Sequence, residues 1–153
     1  MDCSSAEEIK NIQTISQHFT IKENHKKIDF PLQNTVVTNI TFNEWNLPIF
    51  HFTNGSSIHL EACAWRLEKN SHYVIGCLDD DLKKIKSELT HLIGKNLNQI
   101  DIANAMMDAR FQFEGGFVLK TFSCCRVTDQ WKICVQKKPI FCAKIPLLDN
   151  IVN

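Results

Sequence analysis

Residues 50–67 read FHFTNGSSIHLEACAWRL, and the alternation in this stretch decides the fold class. Phe50 and Phe52 stand two apart, a polar run from Thr53 to Ser56 interrupts, and Ile58, Leu60, Ala62 and Ala64 resume the period of two. Such a period places alternate side chains on one face of a strand. Asn54-Gly55 between two alternating runs signals a hairpin, because both residues tolerate the positive φ of a type I′ turn. The return strand is expected to run as far as Leu67. Along it Ile58, Leu60, Ala62 and Ala64 share one face, and His59, Glu61, Cys63, Trp65 and Leu67 share the other. The second face becomes apolar only toward its end, so the strand is expected to twist or bulge into a second packing layer.

Residues 111–127, FQFEGGFVLKTFSCCRV, are a degraded copy. Phe50 and Phe111, Phe52 and Phe113, Gly55 and Gly116, and Ile58 and Leu119 each lie 61 apart. Upstream, Ile40 and Phe42 match Ile100 and Ile102 at an offset of 60; downstream, Cys63-Ala64 match Cys124-Cys125 at 61, and Arg66 matches Arg126 at 60. A spacing kept with single-residue slips is the mark of an internal duplication. The expected fold is α+β and mostly β: one domain over 1–153, with tandem hairpin-containing repeats at about 34–67 and 94–127 forming a sheet or a sandwich.

The remaining segments fill in this scheme. Ser5-Ala6-Glu7-Glu8 has the form of a capping box, and Ile9, Ile12 and Phe19 can lie along one side of an N-terminal helix over 6–19. Residues 21–33 are polar and lysine-rich and read as a loop or an edge. Strands are expected over 35–43, 72–77, 97–102, 109–113, 117–127 and 131–136. A helix over about 80–93 joins the repeats: Leu82, Ile85, Leu89, Leu92 and Ile93 keep to one side, carboxylates open it and Gly94 closes it.

Composition narrows the function classes. Seventeen basic residues balance seventeen acidic ones among 153, so no net field draws the chain toward nucleic acid or an anionic membrane. No run of apolar residues is long enough to span a bilayer, and the acidic start lacks a signal-peptide core, so a cytosolic location is expected. Seven cysteines without an export signal read as free thiols.

No catalytic motif stands out, and no cofactor is expected. His59, Glu61 and Cys63 on one strand face, with Cys124 or Cys125 as a fourth ligand, are the alternative metal site. Against it, the close cysteine or histidine pairs of structural zinc sites are absent, and the cysteines suit small buried hydrophobes. Asp79, Asp80 and Asp81 suit a basic partner, although helix capping also accounts for them. Trp45 and Arg66 are candidate anchors for a protein partner.

The Phe50-x-Phe52-x-Asn54-Gly55-x-x-Ile58-x-Leu60 hairpin is followed by Ala64-Trp65-Arg66-Leu67, an acidic helix start and Leu92-Ile93-Gly94-Lys95. Phe111-x-Phe113-x-Gly115-Gly116, preceded by an Asp, and Asp129-x-Trp131 complete the pattern. Over about 34–135 it resembles a loose group of small bacterial proteins, some encoded beside polymorphic or contact-dependent toxins as immunity proteins. Pro48 and Gly115 depart from the group's pattern. The resemblance implies a non-catalytic, cytosolic immunity or inhibitor protein that binds a toxin domain and buries its active site. Two further readings stand beside it, a metal- or small-molecule-binding β-domain and a structural subunit dimerising through a sheet edge.

Overall fold

A computed structural model describes residues 19–21, 26–27, 35–102, 108–124 and 129–143. The expected N-terminal helix lies outside these residues, except that Phe19 opens a strand. In chain order the strands are β1 (Phe19–Ile21), β2 (Lys26–Lys27), β3 (Val37–Phe42), β4 (Pro48–Phe52), β5 (Ser56–Leu60), β6 (Cys63–Lys69) and β7 (His72–Gly76). The helix α1 (Leu82–Leu89) and a 3-10 turn (Thr90–Leu92) follow. Then come β8 (Leu97–Ile102), β9 (Ala109–Phe113), β10 (Phe117–Ser123), β11 (Trp131–Val135) and β12 (Lys138–Ala143). The fold of the described residues is mostly β with one short helix.

The strands form two sheets, and neither is contiguous in sequence. Sheet I has the order β12-β11-β5-β4-β3; sheet II has β8-β9-β10-β6-β7, extended past β8 by β1 and β2. All pairings are antiparallel except that of β1 with β8. The meander β3-β4-β5 is completed by β11 and β12, while the meander β8-β9-β10 is completed by β6 and β7. Local geometry runs parallel in the two. Val37 faces Phe52 and Asn39 faces His51 around a bulge at Thr38; Leu97 faces Phe113 and Gln99 faces Gln112 around a bulge at Asn98. Leu60 faces Trp131, and Thr121 faces Trp65.

Three sequence expectations need correcting. The strand starting near Ile58 does not continue to Leu67. It breaks at Glu61-Ala62, where the chain leaves sheet I as β5 and enters sheet II as β6. Ile58 and Leu60 are buried before the break and Cys63, Trp65 and Leu67 after it, so the inward phase changes from even to odd. Second, the Asn54-Gly55 turn is not type I′: only Gly55 has positive φ, at 81°, in a three-residue loop between Phe52 and Ser56. Asn54 instead accepts a hydrogen bond from Ser56 N–H at 2.9 Å. The two-residue turns with both φ positive are Asn70-Ser71 and Gln136-Lys137, which match the right-handed twist of their strands. Third, Cys63 opens β6, whereas Cys124 lies just past β10, so the downstream cysteine match is not a match of position.

The core lies between the sheets. The Phe50 ring of sheet I lies 6.2 Å from the Phe113 ring of sheet II, and Trp131 packs edge-on against Phe111 at 5.1 Å. Ile85, Leu89 and Leu92 bury the inner side of α1 and its following turn in the same core. Trp131 is fully buried and Trp45 is 70% exposed. Trp131→Ala is therefore expected to lower stability by ~3–5 kcal/mol through a cavity at the sheet interface. Trp45→Ala is expected to shift it by no more than ~0.5 kcal/mol. Urea unfolding of both variants checks the contrast.

Candidate partner-binding surface

Four of the five sequence-derived candidates, Trp45, Arg66, Asp79 and Asp80, line two adjoining clefts, and Asp81 lines neither. The break at Glu61-Ala62 sends Trp65 inward, so its even-numbered neighbours Ala64 and Arg66 face out of sheet II. A cleft of about 370 Å³ opens there, lined by Ala64, Trp65, Arg66, Tyr73, Cys77, Leu78 and Phe122 among others. A second cleft of about 320 Å³ shares Trp65 and Cys77 with it and is bounded by Trp45, Asp79 and Asp80. Four large apolar or aromatic side chains stay in solvent around the pair: Trp45, Leu78 at 91% exposure, Tyr73 at 57% and Phe122 at 37%. Two other exposed apolar residues, Ile93 and Ile140, line neither cleft.

Each polar candidate has a defined position. Arg66 Nε donates to Glu68 at 2.5 Å and its guanidinium lies 5.0 Å from the centre of the Phe122 ring. Lys120 Nζ reaches the same Glu68 oxygen at 3.1 Å. Burial disfavours the Glu68 carboxylate, but the hydrogen bonds from Arg66 and Lys120 outweigh it and hold the carboxyl below its ordinary range. Asp79 accepts from the Tyr73 hydroxyl, and from Gly76 N–H at 2.8 Å. These two bonds lower the Asp79 carboxyl, and the same contact with Asp79, together with burial, pushes the Tyr73 phenol up to about 12. Asp81 caps α1 as expected, accepting from Lys83 N–H at 3.0 Å and Lys84 N–H at 3.3 Å. Asp80 alone of the three makes no such bond among the described residues.

The alternative metal triad is not brought together. His59 is bonded to Ser57 Oγ at 2.8 Å, and Glu61 pairs with Lys132 at 2.8 Å, both part-way to solvent. Cys63, past the phase change, points into the core. Among the described residues no three histidine, cysteine or acidic side chains are grouped to hold a metal ion. Burial pushes the Cys63 thiol up to about 12, so it stays protonated at neutral pH and is a poor nucleophile. Burial likewise lowers the His59 pKa, with Lys132 adding to the effect.

The described residues thus form a two-sheet β protein with two adjoining clefts, one mainly apolar and one of mixed character, lined by aromatic, acidic and guanidinium groups. No protein-family model, curated protein or solved structure matches the chain. No helix among the described residues is long and apolar enough to cross a membrane.

Tyr73, Leu78 and Phe122 were not singled out by sequence. Phe122 carries a signal, since Phe117, Leu119 and Thr121 are its inward-phase neighbours. Tyr73 is hidden by a bulge at Val74, across which Glu68 faces Tyr73 while Leu67 faces Ile75. Leu78 lies between a strand and an acidic turn, with no periodicity to assign it.

Glu68 separates two cations on adjacent strands, since Arg66 and Lys120 stand directly opposite in register. Glu68→Gln is expected to destabilise by ~1–2 kcal/mol, less than for a fully buried pair because solvent screens the Arg66 side chain. A carboxyl with a lower pKa folded than unfolded stabilises the fold above its unfolded pKa and loses that contribution as pH falls through the folded value. The wild type should therefore lose more stability than Glu68→Gln as pH falls through the carboxylate range. Urea midpoints of both proteins along that pH series measure the difference.

Proposed function

We propose that the protein is a cytosolic, non-catalytic binding protein of the immunity or inhibitor kind, which seats a toxin domain against the paired cleft and blocks it. The observation that carries this reading is the clustering of exposed Trp45, Tyr73, Leu78 and Phe122 with Arg66 around two adjoining clefts. Tryptophan, tyrosine and arginine are the residues that most often anchor protein interfaces, and apolar neighbours exclude water around them. The resemblance to toxin-linked immunity proteins points the same way. Asp79 and Asp80 add negative charge at the rim, suited to the basic surface of a nuclease-like toxin.

We also infer that the two halves of the chain are copies that exchange strands. The matched bulges at Thr38 and Asn98 support this, as do the paired positive-φ turns and the Leu60–Trp131 and Thr121–Trp65 pairings. Duplication would give a rigid scaffold whose two ends have diverged, leaving one free to specialise in binding.

The test is co-expression with the product of the adjacent gene, followed by purification of the complex and a cell-survival assay. A tight one-to-one complex with a toxic neighbour is expected. Leu78→Asp combined with Phe122→Ala should weaken it by ~30-fold or more, in line with the loss of an interface anchor. An unchanged urea midpoint for the double variant would assign that loss to the surface. A complex indifferent to both substitutions would exclude the paired cleft as the docking site.

A further inference from the structure

The second cleft carries chemistry that its neighbour lacks. Of the side chains that line it, Asp79 and Asp80 are the acidic ones, and no lysine or arginine is among them. Trp45 lines the same cleft and is 70% exposed, on a turn closed by its own hydrogen bonds. Asn43 Oδ1 accepts from the N–H groups of both Trp45 and Leu47, each at 2.9 Å. Asn43 N–H donates to the Leu47 carbonyl at 2.9 Å, and Asn46 N–H donates to the Asn43 carbonyl at 3.0 Å. Asn46 completes the turn at a φ of 60°. The backbone that carries Trp45 at the cleft is thus set by hydrogen bonds within the turn.

The acidic wall is equally fixed on one side and open on the other. Asp79 is tied to Tyr73 and Gly76, whereas Asp80 is exposed and makes no ion pair or hydrogen bond among the described residues. Lys84, whose charge acts weakly on Asp79, belongs to α1 and does not line the cleft. An exposed indole and two carboxylates lining one cleft together with Trp65 and Cys77 are complementary to a positive charge carried on an apolar stem.

We propose that this cleft receives an arginine or lysine side chain of the partner protein, held between the Trp45 indole and the carboxylates of Asp79 and Asp80. The proposal rests on the partner-binding reading and adds the chemistry of one anchor residue. An arginine fits best, because its planar guanidinium can stack on the indole while its N–H groups reach a carboxylate.

Trp45 is also a direct reporter. The chain has three tryptophans, and Trp65 and Trp131 are buried. Acrylamide quenching of the intact protein therefore reads chiefly Trp45. The probe is an acetylated and amidated Gly-Arg-Gly peptide, with Gly-citrulline-Gly as the uncharged isostere, at matched ionic strength. The arginine peptide is expected to protect the fluorescence from quenching, and the citrulline peptide to leave it unchanged. Asp80→Asn should weaken the protection by about threefold, and Trp45→Phe should abolish the responding signal. Equal effects of the two peptides, no effect of either, or an Asp80→Asn protein that binds as the wild type does would overturn the proposal. Partner binding that still depends on Leu78 and Phe122 would then stand by itself, so failure of the cationic anchor is distinct from failure of the docking surface.

Discussion

The rest of the structure depends on the hydrogen bonds at one residue, Gln130, where the chain changes sheets. Its carbonyl accepts the N–H groups of Glu61 at 3.0 Å and Ala62 at 3.1 Å, at the passage from β5 to β6. Its side-chain oxygen accepts the N–H of Cys124 at 3.0 Å, just past the end of β10, and its own N–H donates to Ala143 at 2.7 Å. Gln130 is fully buried, so these backbone groups would be costly to leave without partners. One residue thus satisfies the chain on leaving sheet I and again on leaving sheet II. Because β11 needs β5 and β6 needs β10, neither sheet is complete without strands from both halves of the chain.

The paired cleft follows from that passage. Had the alternation continued unbroken through residue 62, Trp65 and Leu67 would have faced away from the core-directed Ile58 and Leu60. The change of phase puts Trp65 into the core, where it lines both clefts, and turns Arg66 outward over Phe122. The bulge at Val74 does the same for β7, keeping Ile75 inside and releasing Tyr73 to hold Asp79. Two local departures from regular strand geometry therefore assemble the surface, whereas the regular parts of the same strands build the core.

Much of the fold was legible in sequence because short strands announce themselves by alternation. Strands β8 and β9 fall where Leu97, Ile100 and Ile102, and then Phe111 and Phe113, predict them, and α1 begins at its acidic cap. What sequence hid depends on interactions distant along the chain. The break at Glu61-Ala62 contains no proline or glycine, and the backbone of Gln130 secures it from about seventy residues away. The positive-φ turns at Asn70-Ser71 and Gln136-Lys137 carry no glycine either, so the usual hairpin signal is missing. For the candidate site, sequence could nominate Trp45, Arg66 and the three aspartates singly. It could not reveal that a turn, a strand and the chain before α1 bring Trp45, Arg66, Asp79 and Asp80 to two adjoining clefts, nor that Cys63 belongs to a different sheet from His59.

Burial and local pairing displace several titrating groups from their ordinary ranges. Glu68 and Asp79 are shifted down, Lys132 is shifted up, and Tyr73 and Cys63 are pushed up to about 12. His59, the side chain whose ordinary range lies closest to neutrality, is shifted down toward its uncharged form. Each of these shifts moves its group away from neutral pH. Glu68, Asp79 and Lys132 therefore keep their charges around neutral pH, while Tyr73, Cys63 and His59 are held toward their neutral forms.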